Sequence, residues 1–153
     1  MPPNPPSNDI GSIISLFISQ KNLQKRVSKK SIHLDLPGIL NDKYYNTNIQ
    51  RSVLITSLES YRLANDKQIH MPYGSLGENI LIDYNPYKLL PGTQLKTGTC
   101  LLEISQNCTM CEHLSNINKE LPSLLKDDRG IFAKVIQKGV IRQGDSIYLI
   151  PTA

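Results

Sequence analysis

The chain has 153 residues, 39% of them hydrophobic and 20% charged, and Lys plus Arg exceed Asp plus Glu by 17 to 13, for a net charge of +4 and a pI near 9.0. That length suits one domain able to bury a core without covalent staples, and the composition is ordinary for a soluble globular protein. No apolar run reaches bilayer-spanning length, and three cysteines, two of them three positions apart, argue against a secreted disulfide framework and for a reducing compartment. The mild basicity suits an anionic small molecule as well as a nucleic acid and chooses neither.

Residues 1–8 are proline-rich and read as an extended leader, leaving 9–153 as a single domain. The apolar run from Ile10 to Ile18 has no basic stretch before it and no small-residue cleavage site after it. It is therefore read as a first strand, over 10–19, and not as a signal peptide. The expected location is the cytoplasm, with no membrane association. Residues 21–30 carry Lys21, Lys25, Arg26, Lys29 and Lys30. They read either as a solvated basic loop or hairpin flank, or as a rim that attracts phosphate.

Alternation over 31–36 predicts a short strand ended by Pro37 and Gly38, and 41–48 reads as a polar, tyrosine-bearing loop. A second apolar strand is expected over 51–55. Thr56 and Glu59 have the capping-box spacing, so a helix is expected over 57–64, stopped by Asn65 and Asp66. Residues 71–79 form a glycine-punctuated loop feeding a strand over 80–83. Residues 94–96 and 99–105 read as a hairpin around Thr97 and Gly98. An amphipathic helix is expected from 111 to 119, limited or restarted by Pro122 and ending near Lys126. Strands follow over 131–136, 140–141 and 146–150. The sum is a mainly β (α+β) fold, a barrel carrying a few peripheral helices, with no alternating βαβ units.

Three stretches carry chemistry. Gly74, Gly77, Glu78 and Asn79 enter a strand and can bring backbone amides close to an anion, or simply form a turn. The stretch is neither a Walker A nor a dinucleotide-binding sequence, because the first lacks its Gly-Lys-Ser/Thr and the second needs a helix to follow. Arg129 and Arg51, each at a strand entrance, can present a guanidinium fork to a carboxylate or phosphate, or form salt bridges. Cys108 and Cys111 admit several readings. A redox pair wants a thioredoxin-like βαβ setting, and a closed zinc site wants a second ligand pair where only Cys100 and His113 are near in sequence. A lone soft nucleophile at Cys111 needs only a helix terminus and a nearby cation. Two incidental thiols are the remaining reading, and Cys100 within a strand reads as core.

The order of Gly77-Glu78-Asn79, then Leu102-Glu103-Ile104 leading to Cys111 and Leu114, then Arg129-Gly130-Ile131, Ala133, Val135, Gly139 and Gly144-Asp145 resembles the MOSC domain. That is the domain named for the C-terminal part of molybdenum cofactor sulfurase, a family associated with pyridoxal phosphate enzymes and found as small stand-alone bacterial proteins. The resemblance spans nearly the whole chain. Departures are the partial early block Gly38, Asp42 and Tyr44, the missing His-Gly-Gly, and Met110 in place of a proline.

The resemblance implies a β-barrel with a cleft and a molybdenum-pterin cofactor or a carried persulfide. It places Cys111 as molybdenum ligand or sulfur carrier, with Cys108 able to resolve a persulfide. It puts Gly77, Glu78 and Asn79 in the cleft wall, and Arg129 and Arg51 against anionic groups of the cofactor. The expected partners are the anionic pterin cofactor or a sulfur-donor protein, with an electron-transfer partner for any reduction of N-hydroxylated compounds. The reaction class stays open between a molybdenum-dependent oxidoreductase and a sulfur transferase. The alternative is a non-catalytic module delivering cofactor or sulfur. Nucleic-acid binding is disfavoured because no aromatic platform interleaves with the lysines of 21–30.

Overall fold

The computed structural model describes residues 8–21, 26–108 and 113–151. The strands are β1 (Asp9–Ile18), β2 (Val27–Lys29), β3 (Ser31–Asp35), β4 (Gly38–Ile39), β5 (Val53–Ser57), β6 (Ile80–Ile82), β7 (Gln94–Thr97), β8 (Cys100–Asn107), β9 (Ile131–Gln137), β10 (Gly139–Arg142) and β11 (Ser146–Ile150). The helices are α1 (Leu58–Asp66), α2 (His113–Ile117) and α3 (Leu121–Leu124), and a single 3-10 turn covers Ile49–Arg51. The main sheet runs β11-β7-β8-β9-β5-β6-β1-β2, and β11 also pairs with β1. The ring therefore closes through β1, and β2 hangs outside it as the flank of a hairpin. A smaller sheet, β10-β3-β4, stands beside the barrel. Of the stretch read as a leader only Asn8 is described, and its carbonyl accepts from the Leu149 amide at 2.9 Å.

Period-two alternation sorts the side chains. From β5, Val53 and Ile55 enter the barrel core; from β6, Ile80 and Ile82; from β8, Cys100, Leu102 and Ile104; from β9, Ile131, Ala133 and Val135. The opposite parity points outward, and part of it is also apolar. Leu81 joins Tyr61, Ala64, Leu76, Leu114, Leu121 and Leu125 in a second core under the helices. Leu54 and Phe132, directly opposite each other on β5 and β9, form a third cluster with Cys108. All neighbours in the ring are antiparallel except β5 and β6. That parallel pair is permitted because α1 supplies the crossover.

The barrel confirms the expected fold class, and details differ locally. The cap of α1 is Ser57, whose hydroxyl accepts from the Glu59 amide, and not Thr56. Thr56 is still in β5, and its hydroxyl is turned to a buried carboxylate. The helix expected over 111–119 appears among the described residues as α2, and the restart expected at Pro122 is α3, in whose first turn the missing N–H of proline costs nothing. Val27–Lys29 is the hairpin flank, one of the readings of residues 21–30, and Gly38–Ile39 is a short strand where Pro37 and Gly38 were expected to end one. Among the described residues no helix is long and apolar enough to cross a membrane.

The small sheet is keyed to the barrel at the β7–β8 turn. The Thr99 amide donates to the Val140 carbonyl at 3.1 Å, and the Thr99 hydroxyl accepts from the Val140 amide at 2.8 Å. Gly98 makes that approach possible: its φ is +57°, and a Cβ there would lie 2.2 Å from the Val140 carbonyl oxygen. Gly98→Ala is expected to lower unfolding free energy by more than the ~1 kcal/mol left-handed penalty alone, because the turn must also retreat from β10. Urea unfolding of the variant beside wild type checks this.

Candidate functional site

Where the outward faces of β5 and β9 meet the glycine loop before β6, a cleft of about 760 Å³ opens. Leu54, Phe132 and Cys108 make its apolar floor, and Gly77 and Asn79 form part of one wall. Arg26, Tyr44, Arg51 and Asn116 supply its polar lining. The floor exists because Leu54 and Phe132 occupy the outward parity of their strands, so the same two ladders that close the core also build the site.

Asn79 is built into the wall. Its backbone amide donates to the Leu54 carbonyl at 2.9 Å, and its side-chain Oδ1 accepts from the Leu54 amide at 3.0 Å. On its other side its carbonyl accepts from the Phe17 amide at 2.8 Å, and Nδ2 donates to the Phe17 carbonyl at 3.3 Å. One residue thus bridges β1 and β5 ahead of the point where β6 takes over. Asp42 is locked beside it, accepting from the Ser19 amide at 2.6 Å, the Tyr44 amide at 3.1 Å and Asn79 Nδ2 at 3.4 Å.

Glu78 is 0% exposed and lies behind the wall. Its Oε2 accepts from the Thr56 hydroxyl at 2.8 Å and the Tyr61 hydroxyl at 2.5 Å. Tyr61 in turn accepts from the Gly74 and Leu76 amides, at 3.0 and 3.4 Å. The carboxylate therefore pins the 74–77 loop through a tyrosine. Burial, and then the charge of Glu78, raise the Tyr61 hydroxyl far above its ordinary pKa, so it stays a donor.

Two arginines bring positive charge to the cleft. Arg51, at the end of the 3-10 turn, has its guanidinium carbon 4.6 Å from the Phe132 ring centroid, a cation–π contact that holds the cation over the floor. Arg26 lies within the basic stretch, immediately before β2. Burial pulls its guanidinium below its usual pKa, and the charges of Asp42 and Glu78 pull it back. Its buried Nη1 has no hydrogen-bond partner among the described residues. A desolvated guanidinium nitrogen without an acceptor is costly, and an anion in the cleft would relieve it.

The residues singled out in sequence separate as follows. Arg51, Gly77, Asn79 and Cys108 line the cleft, and Glu78 backs it. Arg129 is turned to α3, donating to the Pro122 carbonyl at 2.7 Å, and is not among the cleft-lining side chains. Cys111 lies outside the described residues, although Cys108 and Asn116, on either side of it in the chain, both line the cleft. Cys100 is in the barrel core, its thiol pushed up to about 11 by burial, with Lys96 pulling the other way. No three His, Cys, Asp or Glu side chains converge as a metal site among the described residues. Arg26 was not separated from its lysine neighbours by sequence reasoning. The available signal was its residue type, a guanidinium tolerating burial better than an ammonium.

The MOSC domain family model matches residues 31–148. The solved YUAD protein from Bacillus subtilis superposes with a TM-score of 0.80 at 15% identity, covering 94% of this chain and 97% of that one. YiiM from Geobacillus stearothermophilus gives 0.75 at 17%, covering 92% and 75%. YiiM from Escherichia coli gives 0.69 at 16%, covering 93% and 71%. At these identities the structures speak for the fold. No curated protein matches the chain in sequence.

Asn79→Ala is expected to cost about 1–3 kcal/mol, because the Leu54 amide would be left buried without its acceptor. Hydrogen exchange should show the Leu54 amide losing protection ahead of the Ile104 amide on β8, which Asn79 does not touch.

Proposed function

This chain belongs to the MOSC domain family, and on that premise we propose that its cleft holds an anionic molybdenum-pterin cofactor or a sulfur-transfer ligand of the same family, with Cys111 as the sulfur-bearing residue. The observation that carries the reading is the buried Nη1 of Arg26, without a hydrogen-bond partner among the described residues, at a cleft that also presents Arg51 over Phe132. A phosphate oxygen would complete the first, and a planar ring system has an apolar floor to lie on in Leu54 and Phe132. When bound, such a cofactor supplies two-electron redox chemistry. The residues of this chain bind and orient it. Arg26 and Arg51 neutralise its charge, Asn79 keeps the wall in place, and Glu78 with Tyr61 holds the glycine loop.

Cysteine suits both family roles, since a thiolate is a soft metal ligand and a carrier of sulfane sulfur. In the carrier role, the Cys108 thiolate would attack the Cys111 sulfur of a persulfide, forming a Cys108–Cys111 disulfide and releasing hydrosulfide. Cys108 sits against Leu54 and Phe132 on the cleft floor, so the released sulfur would leave into the cleft.

The test is molybdenum and pterin analysis of protein expressed with cofactor biosynthesis intact, with mass spectrometry of the protein purified without reductant. Wild type should carry cofactor or a sulfur adduct on Cys111. Arg26→Gln and Arg51→Gln should each lower cofactor retention about tenfold or more, as expected for losing one charge-assisted hydrogen bond worth about 1.5–3 kcal/mol. Cys111→Ala should abolish the adduct. Wild-type protein with neither cofactor nor adduct would overturn the reading.

A further inference from the structure

A second concavity of about 620 Å³ lies beside the cleft, and no residue lines both. Lys21, Lys29 and Lys43 line it, with Gln20, Asn41 and Asp42 between them. The lysines come from three separate places: the residue three past the end of β1, the last residue of β2, and the loop after β4. The β1–β2 hairpin supplies Lys21 and Lys29, and the fold brings Lys43 to them. The acidic member is already committed. Both oxygens of Asp42 accept from backbone amides, of Ser19 and Tyr44, and Asn79 donates to Oδ1 as well. Its charge is spent inward, whereas Lys21, Lys29 and Lys43 are all exposed at the groove.

We propose that this groove binds a phosphoanion carrying several charges, an oligophosphate either free or borne on a nucleotide. Lysine ammonium groups act as mobile point charges, which suits a compact polyanion better than one planar carboxylate. The Gln20 and Asn41 amides add neutral donors. A concave site of this size matches a small molecule more than a flat protein face. The groove also adjoins the cleft through one pair of neighbours. The Lys43 ammonium lies 5.0 Å from the Tyr44 ring centroid, and Tyr44 lines the cleft. An anion that engages Lys43 therefore acts on a residue at the mouth of the other site. The proposal does not depend on what the cleft itself holds.

The experiment is calorimetric titration of the full chain with orthophosphate, tripolyphosphate and ATP. The titrations are repeated on the triple variant Lys21→Gln, Lys29→Gln, Lys43→Gln, with circular dichroism confirming its fold, and on Arg51→Gln. Affinity should rise from orthophosphate to tripolyphosphate and fall as ionic strength goes from about 0.05 to about 0.5 M. It should drop about tenfold or more in the lysine variant, as expected for removing three charges from one site, and fall by less in Arg51→Gln. ATP binding tighter than tripolyphosphate assigns a nucleotide as the source, and equal or weaker binding assigns free oligophosphate. Tripolyphosphate binding that survives in the lysine variant but is lost in Arg51→Gln would move the anion to the cleft and overturn the proposal. So would the absence of measurable binding, or a clear preference for a single-stranded oligonucleotide over tripolyphosphate.

Discussion

The architecture around the cleft depends on an amide side chain standing in for main chain. Between β1 and β5 the barrel needs a bridge, and β6 begins only at Ile80. Asn79 fills the interval by giving Leu54 and Phe17 a donor and an acceptor each, partly from its backbone and partly from its side chain. An aspartate at this position could not donate to Phe17, and an apolar residue would strand the Leu54 amide. Once Asn79 is fixed, the residues flanking it have little freedom. Gly77 is delivered to the cleft, and Glu78 is forced inward to meet Thr56 and Tyr61. The Gly-Glu-Asn signature is thus one mechanical part, in which the glycine faces the ligand space and the two polar residues hold it there.

The charge arrangement follows from the same packing. Arg26 and Arg51 bring two positive charges to the cleft, while Asp42 and Glu78 place two negative charges behind it. The lining is cationic although the neighbourhood as a whole is near neutral. Selectivity in such a site comes from which groups can reach the ligand, more than from net field. Asp42 turns both oxygens to backbone amides, and Glu78, whose Oε2 takes two hydroxyls, lies behind the wall, so a bound anion would meet guanidinium groups and not carboxylates.

Much of the fold was legible because strand periodicity is written directly in the residues. Ile80-Leu81-Ile82 and Ile131-Phe132-Ala133 are apolar on both parities, and that announces strands buried on two sides. It does not say which side is barrel core and which is cleft floor. Phe132 could be assigned outward only after the register Leu54↔Phe132 was known. The capping residue slipped by one because Thr56 and Ser57 offer the same hydroxyl, and a buried glutamate distant in sequence claimed the first. Arg26 was hidden for a different reason. In sequence it is one of five cations, and only the fold shows it half-buried within the electrostatic reach of Asp42 and Glu78 while Lys21 and Lys29 stay exposed.

The ring closes between the first strand and the last. β11 lies against β1 on one side and β7 on the other, with Ser12 opposite Ser146 and Leu149 opposite Leu95. During synthesis β1 emerges before β11 and waits, its edge unpaired on that side, until the elements between the two have left the ribosome. The hairpin partner β2 and the crossover through α1 can assemble in the meantime, but the barrel wall has a seam that only β11 can seal. A nascent chain of this protein therefore has an interval in which the sheet edge at Asp9, Gly11 and Ser12 is open.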